Sequence, residues 1–237
     1  MKRELTGIIK SINELAASEI EQMFTLMNMF YDHMNFNTFI KDLNDKQTCI
    51  ILLDEKKQIK GFSTQKVLTL HTHTKTVHGV FSGDTIIHRN DWGSWVLFQT
   101  FARHFIEESR KYDDFYWFLI SKGYKTYKIL PLFYKEYYPN YMTNAPDYIR
   151  QIINAFGQTH YPGDFNPDTG VIEYKYIKDK LKTDVGAIGQ KHLNDPDIAF
   201  FCSRNPGHIN GNDLVCLTRL TEDNLTARGR KLLSNCE

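Results

Sequence analysis

Residues 77–105, VHGVFSGDTIIHRNDWGSWVLFQTFARHF, read as strand, short turn and helix, a succession that points to the α/β class. Residues 80–87 are rich in β-formers and follow Gly79, whereas Trp95, Phe98, Phe101 and Phe105 recur every three or four positions and share one helical face. The turn between them is HRNDWGS. It points the unpaired N–H groups of a new helix at the end of a strand, and such places bind anions, a nucleotide pyrophosphate included. Strand-to-helix turns without ligands are common too, so the turn alone leaves both readings open.

The rest of the chain supplies neighbours for that unit. Residues 5–12 read as a first strand, followed by a helix with Ile20, Phe24, Met27 and Phe30 on one stripe. Met23, Met27, Met29 and Met34 lie in this region, where core or groove lining is the expected use. A short second helix over 35–43 takes Asn35 or Asn37 as its cap. Residues 48–53 and 59–70 form a hairpin across the charged loop DEKKQ, and a polar turn near 73–76 leads into the strand at Val77. His71, His73 and His78 put imidazoles along these strands, but no third ligand position follows from the spacing, and exposed edge histidines are expected.

The run FYWFLI, residues 115–120, is continuously apolar and suits a strand buried on both faces. After it, Leu130, Phe133, Tyr134 and Tyr137 have helical spacing, with Pro131 in the first turn and Pro139 as the stop. Residues 146–156 form an amphipathic helix, and 171–176 read as a strand. Residues 198–203 and 214–217 read as two strands of a closing hairpin, and a last helix starts at Thr221 and ends near Leu233. Cys202 and Cys216 then face each other across that hairpin as small core residues, and His208 sits solvated in its loop.

Charge excludes two classes of partner. With 29 basic against 28 acidic side chains the net charge is +1, so nothing recruits nucleic acid or an acidic membrane surface, and the lysine-rich piece KYIKDKLK at 175–182 reads as a solvated face. No apolar run approaches the roughly 18 residues of a membrane span, the basic N-terminus turns acidic before a signal-peptide core forms, and the four cysteines form no CxxC pair. A cytoplasmic protein with free thiols is the expectation.

Three features together resemble the GNAT superfamily of N-acyltransferases: the element order, the stretch DTIIHRNDWGSWVLFQTF, and LPLFYKEYYP at 130–139. The first stretch is similar to the family's fourth strand and cofactor-binding helix, and the second to its fourth helix. The resemblance implies a single domain over 1–237 with a mixed, mostly antiparallel α/β sheet flanked by helices. Residues 1–140 would be the core, 141–196 an insertion, and 197–237 the closing hairpin and C-terminal helix. It also implies acetyl-CoA or another acyl-CoA as co-substrate, an amine of a small molecule or peptide as acceptor, and leaves a homodimer open. The family signature Q/R-x-x-G-x-G/A is degenerate here, because Asp91 or Trp92 stands where a glycine belongs.

By the same resemblance the donor site would be Ile87, His88, Arg89, Asp91, Trp92, Gly93 and Ser94. Tyr134 would be the acid for the departing thiolate, or a core residue with a buried hydroxyl bond. Asp84 or His78 would be the base, although Asp84 could equally cap a turn after Gly83. Two alternatives follow: a GNAT-like module that binds a ligand or partner without catalysis, and transfer from a carrier-protein thioester that has no diphosphate to cradle.

Overall fold

The structure is a computed structural model that describes residues 4–176 and 179–234. Cys236 and two residues of the lysine-rich piece, Ile177 and Lys178, lie outside the described residues.

The chain opens with strand β1 (Thr6–Ser11) and helix α1 (Ala17–Asn28), then the two-residue strand β2 (Tyr31–Asp32) and helix α2 (Phe36–Asn44). Asn35 caps α2, its Oδ1 accepting from the Thr38 amide at 3.0 Å, as its place before an apolar-periodic run demands. The expected meander follows as β3 (Thr48–Leu53), β4 (Ile59–His71) and β5 (Thr76–Ile87), with β1 antiparallel on β3. Helix α3 (Val96–Ser109) then crosses to β6 (Phe115–Ser121), which pairs parallel to β5. That pair is the only parallel one in the main sheet among the described residues.

Alternation along β6 decides the layers. Phe115, Trp117 and Leu119 join one apolar cluster, while Tyr116 and Phe118 join another on the opposite face, so the strand is covered on both sides. The first face carries α3, whose Phe98, Phe101 and Phe105 form the expected stripe. The second carries α6 (Asp147–His160) through Ile149, Ile152, Ile153 and Phe156, and α1 and α2 pack further along it with Met23 and Met27 in the core. Full burial of side chains this size stabilises by roughly 1.5–3 kcal/mol each.

Beyond β6 the structure departs from several expectations. The helix carrying Pro131 is two short pieces, α4 (Tyr124–Tyr127) and α5 (Ile129–Phe133). Tyr134 ends it in extended backbone, and Tyr137 lies on strand β7 (Tyr137–Tyr138), not on a helical face. Between α6 and the C-terminus come β8 (Phe165–Asn166), β9 (Val171–Ile172), β10 (Lys180–Leu181) and α7 (Thr183–Gly186). The strand at 171–176 is thus only its first two residues.

The closing hairpin is absent, because residues 198–203 are helical. They lie in α8 (Pro196–Arg204), where Asp195 Oδ1 accepts from the Asp197 and Ile198 amides and Pro196 fills the first turn. A capped start with proline at N1 outweighs the β-propensity of IAFFCS, and the buried positions Ile198 and Phe201 have helical spacing. Cys202 therefore sits on a helix and does not face Cys216 across a hairpin; Cys216 is fully buried on strand β11 (Asp213–Arg219). Strand β11 instead pairs with β6, β7 and β9. The last helix, α9 (Ala227–Ser234), begins later than Thr221, whose hydroxyl serves a turn at Asn224. Thr226 supplies the cap to Gly229.

Candidate functional site

Where β5 and β6 part, a cleft opens. Their ladder runs from His78–Phe115 to Ser82–Leu119 and stops, although β5 continues to Ile87. At that point β5 carries a bulge: Ser63 pairs with Thr85 and Gln65 with Ser82, so Gly83 and Asp84 together oppose Thr64. A bulge bends the strand and increases its twist, which carries β5 away from β6. Gly83 permits the close approach, since a Cβ there would lie 2.7 Å from Thr64 Oγ1 and 2.8 Å from Lys46 Cε. Trp117 Nε1 donates to Ser82 Oγ at 2.9 Å and ties the two strands at their last shared position.

The resulting cleft has a volume of about 350 Å³. Asp84 to Ile87 line one wall and Leu119, Ile120 and Lys122 to Thr126 the other, with Trp117 also in the lining. Tyr31 on β2, Leu181 on β10 and Val185 on α7 also line it, together with His160, Tyr161 and Asp213.

Its inner wall is a charge cluster. The Lys122 ammonium lies 3.3 Å from both Asp179 and Asp213 carboxylates and donates to the carbonyls of Asp179 and Gly211. Tyr174 donates its hydroxyl to Asp213 Oδ2 at 2.8 Å. Burial works against the charge of Lys122, but the two carboxylates outweigh it and hold the ammonium above the ordinary lysine range. Burial, then the charges of Asp84, Asp179 and Asp213, pushes the Tyr31 hydroxyl upward, so it stays protonated. His160 is lowered by burial and by Lys66, which keeps its imidazole neutral near pH 7, and its Nε2 is buried without a hydrogen-bond partner.

Trp92 stands at the mouth, 44% exposed, with Nε1 donating to the Ile87 carbonyl at 2.9 Å. The Lys125 ammonium lies 3.8 Å from the centroid of that indole and the Arg89 guanidinium 5.7 Å from it. Burial and then Arg89 lower Lys125. Arg89 pairs with Asp184 at 2.6 Å.

The residues singled out in the sequence divide accordingly. Asp84, Ile87 and Trp92 line the cleft and Arg89 reaches its mouth. His88, Asp91, Gly93 and Ser94 belong to the turn and are outside the lining. There the Asp91 carboxylate is buried 3.8 Å from His88 Nδ1, with Oδ2 lacking a hydrogen bond, and Gly93 has the φ of +90° that suits glycine. His78 sits at the other end of β5, its Nδ1 3.2 Å from Thr69 Oγ1 and its ring 4.7 Å from Tyr112. Tyr134 is 1% exposed, packed against Phe98 and Trp117, and its hydroxyl has no partner, so the buried hydroxyl bond expected of a core tyrosine is not made. His208 packs against Phe201 at 5.4 Å and is not in the lining.

Lys122, Asp213, Asp179, His160 and Tyr124 were not singled out. The available signals were a lysine directly after FYWFLIS and an aspartate opening the buried run DLVCL. Among the described residues no group of three or more His, Cys, Asp or Glu side chains could hold a metal ion. None of the described helices is long and apolar enough to cross a membrane.

No protein-family model matches the sequence and no curated protein matches it. Several solved structures are similar in shape. A conserved protein of unknown function from Enterococcus faecalis V583, described as a probable N-acyltransferase, aligns with 13% identity and a TM-score of 0.41 over 56% of this chain and 33% of that one. The GNAT family N-acetyltransferase YhbS from Escherichia coli, in complex with CoA, aligns at 8% identity and TM-score 0.37, over 54% and 69% of the two chains. The aminoglycoside acetyltransferase meta-AAC0020 from an uncultured soil metagenomic sample, with sisomicin, aligns at 15% and 0.39, over 53% and 82%. This chain thus spans a third of the length of the Enterococcus protein. The fold itself is a mixed and mostly antiparallel sheet flanked by helices, with one parallel pair that splays, and likenesses of this size carry no argument about activity.

Proposed function

We propose that this chain is an acyl-CoA-dependent N-acyltransferase that acylates an amine of a small molecule or peptide in the cleft between β5 and β6. The observation that carries the reading is the splay itself. Past Ser82 the β5 backbone loses its β6 partners, so the groups on that edge of residues 83–87 face the cleft and suit the amides of an extended pantetheine arm. Arg89 and Lys125 at the mouth suit the donor's phosphates, a role the family assigns to backbone amides of a glycine-rich turn.

In this reading Asp84 takes a proton from the acceptor ammonium. The amine nitrogen attacks the thioester carbonyl carbon, the C–N bond forms as the C–S bond breaks, Tyr124 protonates the departing thiolate, and the proton that the nitrogen sheds as the amide forms restores the Tyr124 hydroxyl. Tyr124 lines the cleft and its hydroxyl is raised by burial, so it holds its proton at neutral pH. Tyr134 enters as a core residue.

Thiol release from acetyl-CoA and longer acyl-CoAs, measured against a panel of primary amines, tests this directly. Asp84→Asn and Tyr124→Phe are each expected to lower kcat by about 10²-fold or more, with Tyr134→Phe within about twofold of wild type. Absence of both thiol release and any melting-temperature rise at millimolar acyl-CoA would overturn the reading. A second reading, a binding module without transfer, is favoured by the degenerate turn, which has Asp91 or Trp92 where the family has a glycine. It predicts a thermal shift with amines alone.

A further inference from the structure

We propose that Trp117 is the floor against which the donor's acyl group ends, and that it restricts the donor to short acyl chains; the inference rests on the acyl-CoA reading above. Its ground is the way the cleft divides across the sheet. Alternation along β6 puts Trp117 and Leu119 on the α3 face, and the lining residues Ile87, Tyr124 and Ile129 pack into the same apolar cluster. The charges of the inner wall lie on the opposite face. Lys122 holds Asp213, whose other partner Tyr174 packs into the α6 cluster, and Asp84 shares a face with Ile86, which packs with α1 and α2. One cleft therefore offers a neutral pole and a charged pole. An acyl chain gains by leaving water only at the first, and the acceptor ammonium needs the carboxylate at the second.

The reach of the donor fits this division. From Ile87 back to Ser82 the edge of β5 spans roughly 16 Å at about 3.3 Å per residue, a length that an extended pantetheine arm covers. An arm that starts at the cations of the mouth, Arg89 and Lys125, then brings its sulfur to the point where the strands part. The bond from Trp117 Nε1 to Ser82 Oγ closes that point, so the indole is what the acyl group meets next.

The floor is fixed from behind. Trp117 is buried, and its ring centroid lies 4.7 Å from that of Phe101, 5.8 Å from Tyr134 and 6.0 Å from Phe98. With its nitrogen bonded to Ser82 and its rings backed by the stripe of α3, the indole cannot turn aside, and a core packed this way resists added methylenes. The cleft volume of about 350 Å³ stands at the lower end of the roughly 300–1,000 Å³ of ligand sites, and it must take the pantetheine arm and the acceptor as well. An acetyl group ends against the indole; a hexanoyl chain would have to displace it.

Calorimetric titration of the full chain with free CoA, acetyl-CoA and hexanoyl-CoA tests the assignment. Wild-type protein is expected to bind acetyl-CoA about as tightly as free CoA and hexanoyl-CoA about tenfold or more weakly, since a single methylene in an apolar pocket is worth about tenfold or more. Trp117→Leu should narrow the gap between the two acyl-CoAs to about threefold or less and leave the affinity for free CoA unchanged. Trp117→Phe keeps a ring against Phe101, which protects folding, and should give an intermediate ratio. A purely structural role for Trp117 would lower the melting temperature without moving that ratio. Hexanoyl-CoA bound by wild type as tightly as acetyl-CoA, or the same ratio in a folded variant as in wild type, would overturn the proposal while leaving acyl-CoA binding in place. The expected length cut-off without thiol release to any amine would overturn the transfer reading and support the floor. Wild-type protein that binds none of the three would overturn both.

Discussion

Lys122→Met is expected to destabilise the protein by about 3–5 kcal/mol, the usual cost of removing one partner from a buried ion pair. For a chain of this size that corresponds to a fall in Tm of order 10 °C. Lys122 stands between Asp179 and Asp213, and Asp213 is only 1% exposed. Without the ammonium, Asp213 keeps the Tyr174 hydroxyl but loses its charge partner, and the carbonyls of Asp179 and Gly211 lose a donor. The contact joins three parts of the chain distant in sequence: the end of β6, the start of β11 and the segment entering β10.

The double variant Lys122→Met with Asp213→Asn should recover much of the loss, because the amide oxygen introduced by the second change would accept from Tyr174 without leaving a buried charge. If the double variant is no more stable than the single one, charge compensation is not what Lys122 contributes. The pH dependence has a definite sign. Since the folded state holds the lysine above its ordinary value, its contribution is complete below about 10.4 and fades as pH rises through the folded value. The stability gap between wild type and Lys122→Met should be flat from about pH 6 to 9 and narrow above about pH 10.4.

These residues also show which parts of the molecule sequence reading reaches. Patterns that repeat locally were legible: the aromatic stripe of α3, the meander of β3 to β5, and FYWFLI as a strand covered on both faces. Each rests on neighbours within a few residues, where periodicity reports burial directly. Residues 198–203 went astray because IAFFCS has the composition of a buried strand, and the decisive signal, Asp195–Pro196 before it, is a cap outside the apolar run. The site was legible only where it follows from the strand-to-helix unit, at Asp84, Ile87, Arg89 and Trp92. Lys122, Asp179 and Asp213 are brought together by the return of β11 alongside β6, and no spacing within one element announces such a meeting. The turn itself was found but its inward carboxylate was not: Asp91 is buried beside His88 rather than turned to the cleft.

Gly79→Ala is the second substitution with a large expected effect, about 3 kcal/mol or more of destabilisation, and it bears on the splay that makes the cleft. Gly79 pairs with Leu68 on one side and Tyr116 on the other, in the middle of the sheet. A Cβ there would fall 2.3 Å from the Tyr116 carbonyl oxygen and 2.7 Å from the Phe118 ring. The carbonyl belongs to the backbone of β6, so it can yield only by moving that strand. The ring is backed by Phe156, stacked on it with centroids 5.0 Å apart, so it cannot swing away without disturbing α6. Relief must come from pushing β5 and β6 apart over residues that now hold them together below the cleft. Urea unfolding should show a lowered midpoint, and any ligand that binds the cleft should bind Gly79→Ala more weakly, because the divergence after Ser82 would start from a wider base. Gly189→Ala is the control: a Cβ there meets nothing within 4 Å, and the change should stay within about 0.5 kcal/mol of wild type. A Gly79→Ala protein as stable as that control would mean that β5 and β6 do not approach closely at this level.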